Sequence, residues 1–532
     1  MKNLLNTALS AALLAAGSQA FAADFILVNA DPAGVGFNDP TPVAPVGGNN
    51  GATLGEQRLN VYYRAFQLWG QVLESPQPIV VQATWAPLSC TATGGVLGSA
   101  GTTYVFNNFP NAPLANHWYH SALTDKLSGA DQVPGQADIR TFFNVNLGTP
   151  GCLQTSSWYY GLDNNEAPNQ IDFLSVLMHE VAHGLGFSNF VNEGNGTLLG
   201  GLPDVYAANT RDNLTGLQWN NPAMTNALRA NSGKSVDKMV WNGGAVVADA
   251  PNVLAAYTGV RFTAPAGAAG DYDLAFATFG PAPVVGSFGG TAVYTDDGVG
   301  AVNDACEPIV NAAAVAGKYA IADRGTCAFT IKVKNAQDAG AIGVIIANNT
   351  SGLPGMGGSD PSITIPSIGV PQSVAQPIKD AGGAAEFGLF SDPSRRVGAD
   401  LAGNPRLYAP TVYAAGSSGS HFDVSASPNL LMEPSINPDL RSATNVDLTA
   451  AQFADIGWDI GNFSVAGCDA GVPAVADNGD VLLAPILQCA DSAKNKGQFQ
   501  ACTTQYLNRL KDAGVISGAV KGQLSACAAR LR

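Results

Sequence analysis

Basic residues are scarce in this chain: 26 Lys and Arg stand against 41 Asp and Glu, a formal net charge of −15. No basic patch dense enough to neutralise phosphates is present, which excludes nucleic acid as the expected partner. Beyond the N-terminus, no apolar run is long enough to be read as a transmembrane helix. No Cys-x-x-Cys pair occurs among the eight cysteines, which argues against a cysteine metal site. Histidine is rarer still, with only five in 532 residues, so any imidazole metal site has few residues to draw on. No internal repeat is visible.

What the chain has in quantity is glycine (61) and proline (32), which point to turns and β-structure rather than long helical bundles. The length suggests about two to four domains. Residues 1–22 combine a lysine, a short apolar run and an Ala-x-Ala exit at Ala20-Phe21-Ala22, the pattern of a secretory signal peptide. Export accounts for the cysteines. Cys90 and Cys152, then Cys306 and Cys327, then Cys468, Cys489, Cys502 and Cys527 form three regional groups of even count, each expected to close within its own domain as disulfides.

Apolar spacing predicts a helix in "GEQRLNVYYRAFQLWGQVL", with no breaker before Gly70. Strands are predicted over residues 77–88 and 137–147, followed by a helix in "NQIDFLSVLMHEVAHGLGF" that ends near Gly184 or Gly186. Helix, strands and then a buried helix suit an α+β catalytic lobe. From about residue 250 the composition shifts to Ala, Gly, Val and Pro. There "GKYAIAD", "TIKVKNAQDAG" and "AIGVIIANN" read as strand, helix and strand of a small separate domain. "LTAAQFADIGWDI" has helical periodicity, and residues 466–532 hold four cysteines and two predicted helices.

The chemistry is concentrated in "LMHEVAHGLGFSNF". Residues four apart share a helix face, so His179 and His183 can address one ion, and Glu180 projects beside it. Zinc lowers the pKa of a bound water to about 7, and a neighbouring carboxylate can take its proton. The bland alternative is a pair of hydrogen-bonded core histidines. It would leave His, Glu and His as three buried polar groups to satisfy.

A zinc site needs a third protein ligand. The compact form of the motif carries it three residues after Gly186, where this chain has Asn189, and a neutral amide is a poor substitute for imidazole. His117 and His120, in "LANHWYHSAL", read as structural or surface residues. Glu193 lies so close to the helix that the chain would have to reverse at once. Asp204 is a workable runner-up, and His421 is far downstream in "GSSGSHFDVSASPNLLMEPSIN".

Together "HEVAHGLGF", "SHFD" and "NLLMEP" resemble the leishmanolysin-like branch of the metzincin zinc peptidases, in which a third histidine comes late and a methionine turn follows it. The resemblance implies zinc ligands His179, His183 and His421, Glu180 as catalytic base, and Met432 beneath the metal. The plainer reading of Met432 is a gap-filling core methionine. The long interval before His421 is explained by a second resemblance. "VAGKYAIADRGTCAFTIKVKNAQDAGAIGVIIANN" is similar to a protease-associated (PA) domain, which implies a Cys306–Cys327 disulfide and an insertion between the second and third ligands. Surface loops tolerate such insertions because closure entropy grows only logarithmically with length.

The expected architecture is therefore α+β: a signal peptide (1–22), a metzincin-like catalytic domain in two parts (23–261 and 401–465), an inserted α/β PA domain (262–400), and a helical, disulfide-containing C-terminal module (466–532). The expected function is that of a secreted zinc endopeptidase acting on proteins or peptides with one catalytic Zn2+. The competing class is a non-catalytic exported binding protein that uses the PA domain as its contact module. "TDDGVG" is read as a solvated loop, with Ca2+ as an unsupported alternative.

Overall fold

The computed structural model describes residues 22–350 and 352–531; the signal-peptide reading falls almost entirely outside them. The chain divides into two compact units, one formed by Met1–Leu254 with Gly398–Arg532, the other by Ala255–Val397.

The first unit is built on a four-stranded sheet and two buried helices. β1 (Phe25–Asn29), β2 (Ile79–Ala86) and β4 (Ile139–Asn144) run parallel, while β3 (Gly98–Thr102) lies antiparallel to β4 at the sheet edge, giving the order β1-β2-β4-β3. Strand β2 alternates strictly, with Ile79, Val81, Ala83 and Trp85 buried, the period-2 pattern of a sheet with one core face. A strand thus precedes the first helix, which the expected order of elements had not included.

Helix α1 (Leu54–Val72) starts where the Thr53 hydroxyl accepts the Glu56 amide, an N-cap that meets an otherwise orphan donor. It runs through Gly70 rather than stopping there; glycine stands at that position because a Cβ would lie 2.6 Å from the Ala23 carbonyl oxygen. Helix α2 (Phe173–Leu185) is buried along its whole length, as expected for a helix apolar on nearly every side. Asp172 caps it, accepting the Ser175 amide at 2.9 Å. Gly186 ends it at φ +136°, in the region that favours glycine, and any Cβ there would meet Ile456 at 2.4 Å.

The second unit carries an eight-stranded sheet. β5 (Ala256–Ala264) pairs antiparallel with the long β10 (Ala384–Arg396), which pairs antiparallel with β6 (Gly289–Tyr294). Then β6, β7 (Tyr319–Asp323), β8 (Gly343–Ala347) and β9 (Ser367–Val370) run parallel, with α3 (Phe329–Asp338) connecting β7 to β8. The expected strand–helix–strand is present, in a unit bounded by 255 and 397, against the 262 and 400 that the PA resemblance implied.

Back in the first unit, α4 (Thr449–Ile456) packs on the main core through Phe453, whose ring lies 5.3 Å from that of Trp69. The C-terminal residues form three helices where two were expected: α5 (Ala484–Ser492), α6 (Lys496–Asp512) and α7 (Gly518–Ala528). The helix missed is the short α5, which opens at Ala484-Pro485. Proline fits the first turn of a helix, where its lacking N–H costs nothing, yet in sequence it reads as a breaker. Phe463, Ile486, Phe499, Leu507 and Leu524 form a small core of their own here, and the Arg64 guanidinium contacts both Asp491 oxygens at 2.8 Å.

All eight cysteines are paired, as Cys90–Cys152, Cys306–Cys327, Cys468–Cys527 and Cys489–Cys502. Among the described residues, no helix is long and apolar enough to cross a membrane.

Candidate metal centre

Helix geometry places His179 and His183 one turn apart on the same face of α2. His421 arrives from a loop held by backbone pairing: Tyr408 N donates to the His421 carbonyl at 2.9 Å, and Phe422 N donates to the Met432 carbonyl at 2.8 Å. Phe422 is fully buried with its ring 4.9 Å from Phe187, which anchors this loop against the chain leaving α2.

The three rings converge. His183 Nε2 lies 3.1 Å from His179 Nε2 and 3.2 Å from His421 Nε2, and the third side of the triangle is 3.2 Å. Each Nδ1 faces a backbone carbonyl: Leu431 for His179 at 2.7 Å, Phe187 for His183 at 2.7 Å, and Ser417 for His421 at 2.8 Å. A carbonyl only accepts, so each Nδ1 carries its proton and each Nε2 presents a lone pair. Three lone pairs at this separation repel one another and cannot be satisfied by mutual hydrogen bonds. A cation between them resolves the conflict.

The dimensions fit zinc. Donors about 2.0–2.1 Å from zinc at tetrahedral angles stand about 3.3 Å apart, close to the triangle observed. Burial also keeps the imidazoles neutral, as metal ligation requires: His179 is driven down to about 4, His421 to about 3, and His183 well below its ordinary value, burial being the largest cause in each case.

Glu180 is buried beside this face, and burial raises its carboxyl to about 8 against the lowering effect of the Ala100 amide. Strand β3 lies directly on it, since a Cβ added at Gly98 would sit 2.9 Å from Glu180 Oε1. Met432 is fully buried in the turn whose preceding carbonyl, Leu431, holds His179. A cavity of about 680 Å3 opens among Leu97, residues 164–172 and residues 436–438, at the N-terminal end of α2.

The other candidates are occupied elsewhere. Asp204 accepts the Phe190 and Ala207 amides, both at 2.7 Å. Glu193 accepts the Asn189 side chain. His117 bonds the Ala115 carbonyl and the Asn220 side chain, and His120 is buried with Nε2 on the Ser188 hydroxyl at 2.8 Å. In the second unit Asp297, Asp304 and Glu307 form an acidic group, but Asp297 and Asp304 both accept the Cys306 amide, and Lys332 Nζ bonds the Asp304 carbonyl.

Compared with known proteins, residues 287–378 match the family model described as PA domain. Vacuolar-sorting receptor 2 of Arabidopsis thaliana is 35% identical over 135 residues, covering 23% of this chain and 22% of the receptor. The chain thus spans about a fifth of the length of that curated relative. Among solved structures, the zinc aminopeptidase BSAP from Bacillus subtilis aligns at 19% identity over 27% of this chain and 36% of that one, with a TM-score of 0.19. The aminopeptidase from Aneurinibacillus sp. strain AM-1 aligns at 20% identity over 36% and 42% of the two chains, with the same TM-score of 0.19. The subtilisin-like protease Apa1 from Pseudoalteromonas sp. AS-11 aligns at 16% identity over 26% and 34%, again at 0.19. The sequence between β6 and β9, with its Asp-Arg-Gly-x-Cys turn and Cys306–Cys327 bridge, is that of a PA domain.

Proposed function

We propose that this chain is an exported zinc endopeptidase of the leishmanolysin-like metzincin type, with the PA domain inserted between its second and third metal ligands. The observation that carries the reading is the triangle of Nε2 atoms whose three Nδ1 protons are already committed to backbone carbonyls. His179, His183 and His421 would hold the ion. Zinc bound there supplies a Lewis acid and a water of lowered pKa.

The remaining work falls to the chain's own groups. Burial alone holds the Glu180 carboxyl up, and a cation bound beside it would bring it back down to the carboxylate. Fixed by α2 and enclosed by β3, it would then take the proton of the attacking water and pass it to the leaving peptide nitrogen, so one carboxyl serves as base and then acid. Strand β3 is an edge strand, the kind of element to which an extended peptide adds. A substrate side chain then has the cavity beside residues 436–438 to enter. Four disulfides support an oxidising destination, and protein or peptide substrates follow from the chemistry.

The test is metal analysis of purified protein together with casein digestion in the presence and absence of a chelator. About one zinc per chain and chelator-sensitive cleavage are the expected result. A folded, zinc-loaded protein that cleaves nothing would favour the non-catalytic binding reading instead.

A further inference from the structure

Asn189 stands three residues after Gly186, where the compact form of the motif carries its third ligand, and its side chain has no atom to spare for a metal. Its Oδ1 accepts the Val191 amide at 2.9 Å. Its Nδ2 donates to Glu193 Oε1 at 2.5 Å and to Ser420 Oγ at 3.1 Å, and its own backbone N–H donates to the same Ser420 Oγ at 3.2 Å. Two donors from Asn189 therefore grip the residue immediately before His421.

Glu193 completes the grip. It is 3% exposed, and a Cβ added at Gly419 (φ +71°) would lie 2.1 Å from its Oε1. Only glycine lets the loop backbone come so near the carboxyl. The other carboxyl oxygen, Oε2, is buried without a hydrogen-bond partner, a costly state for a polar group. Elsewhere the loop is held by backbone bonds, Gly419 N to the Tyr408 carbonyl and Tyr408 N to the His421 carbonyl, and by Phe422 packed on Phe187. The His421 ring is aimed by the Ser417 carbonyl within this same loop, so its direction depends on how firmly residues 417–421 are held.

We propose that Asn189 and Glu193 are positioning residues, a latch that seats the distal loop and thereby aims His421 at His179 and His183. The segment following α2 supplies no ligand of its own; it receives the segment that does. The metal readout of this proposal rests on the zinc reading of the three histidines, while its geometric readout does not.

The full-length protein serves for the test, with Asn189→Ala, Glu193→Ala, Glu193→Gln and the milder Ser420→Ala. Zinc affinity is measured by competition with a chromophoric chelator. Amide hydrogen exchange is followed across residues 417–422 and across α2 in metal-free protein. Asn189→Ala and Glu193→Ala should weaken zinc binding about 10–100-fold, the usual cost of losing an outer-shell partner. They and Ser420→Ala should speed exchange in the loop on the order of tenfold while α2 keeps its protection. Glu193→Gln retains an acceptor for Asn189 and should stay close to wild type. Wild-type loop exchange and wild-type zinc affinity in Asn189→Ala would overturn the latch. If the wild-type protein binds no zinc, the zinc reading falls, and the exchange measurement still decides the latch.

Discussion

His421 Nε2 lies 3.2 Å from His179 Nε2 although 242 residues of chain separate them. The whole of the unit Ala255–Val397 falls inside that interval. A compact insertion of this kind costs its host little closure entropy. The histidine contact depends instead on local anchors of the host: Phe422 against Phe187, and backbone bonds to Tyr408 and Met432.

His421→Ala removes one of three imidazoles and should lower zinc affinity by more than the ~100-fold that loss of an outer-shell partner costs. Asp204→Asn should leave zinc content per folded molecule unchanged, because that carboxylate serves the Phe190 and Ala207 amides. Elemental analysis of both variants checks the pair. Metal lost from Asp204→Asn and kept in His421→Ala would reverse the assignment.

Glu180→Gln keeps the shape of the buried side chain and removes its capacity to accept a proton. Zinc content and unfolding midpoint should match wild type while peptide cleavage falls by about 10²–10⁴-fold. Cleavage at the wild-type rate would show that the base lies elsewhere.

Helix α2 meets the sheet at Gly184, where an added Cβ would come 2.3 Å from Ile139 Cγ2. Gly184→Ala gains up to about 1 kcal/mol of helix propensity. Overpacking of a buried, branched side chain costs about 1–3 kcal/mol. Overpacking should win here, because three Ile139 carbons lie within 2.9 Å of the new methyl and the residue is fully buried. A lower urea midpoint is expected; an unchanged one would mean that β4 yields.

Asp172, the cap of α2, is held up at about 7 by burial, against hydrogen bonds from the Ser175 amide and Asn164 that lower it. Its folded value lies above the ordinary 3.8, so the native state binds more protons than the unfolded chain between about pH 4 and pH 7. By linkage, this group's contribution to stability falls as pH rises through that window. Asn is an equally good N-cap and does not ionise. Asp172→Asn keeps an acceptor for the Ser175 amide but loses the one for Asn164. It should therefore cost about 1 kcal/mol at pH 4, and its effect should become more favourable by at most about 4 kcal/mol between pH 4 and pH 8. Urea unfolding at the two pH values measures the difference, and equal shifts at both would refute it.

Local physics made much of this molecule legible from its residues. The 3.6-residue period puts His179, Glu180 and His183 on one apolar helix that ends near Gly186, and residues 77–88 read as a strand, whereas the Asp172 cap emerged only in the structure. The regional grouping of cysteines anticipated Cys90–Cys152 and, with the PA resemblance, Cys306–Cys327. Four cysteines admit three connectivities, so the pairing of Cys468 with Cys527 and Cys489 with Cys502 waited for the packing of α5, α6 and α7. The burial of His120, the continuation of α1 through Gly70 and the grip of Asn189 on Ser420 share one reason. Each depends on which distant segment lies alongside, and no local period encodes that. The ring of His421 reaches those of His179 and His183 only because tertiary packing brings two far segments of chain together.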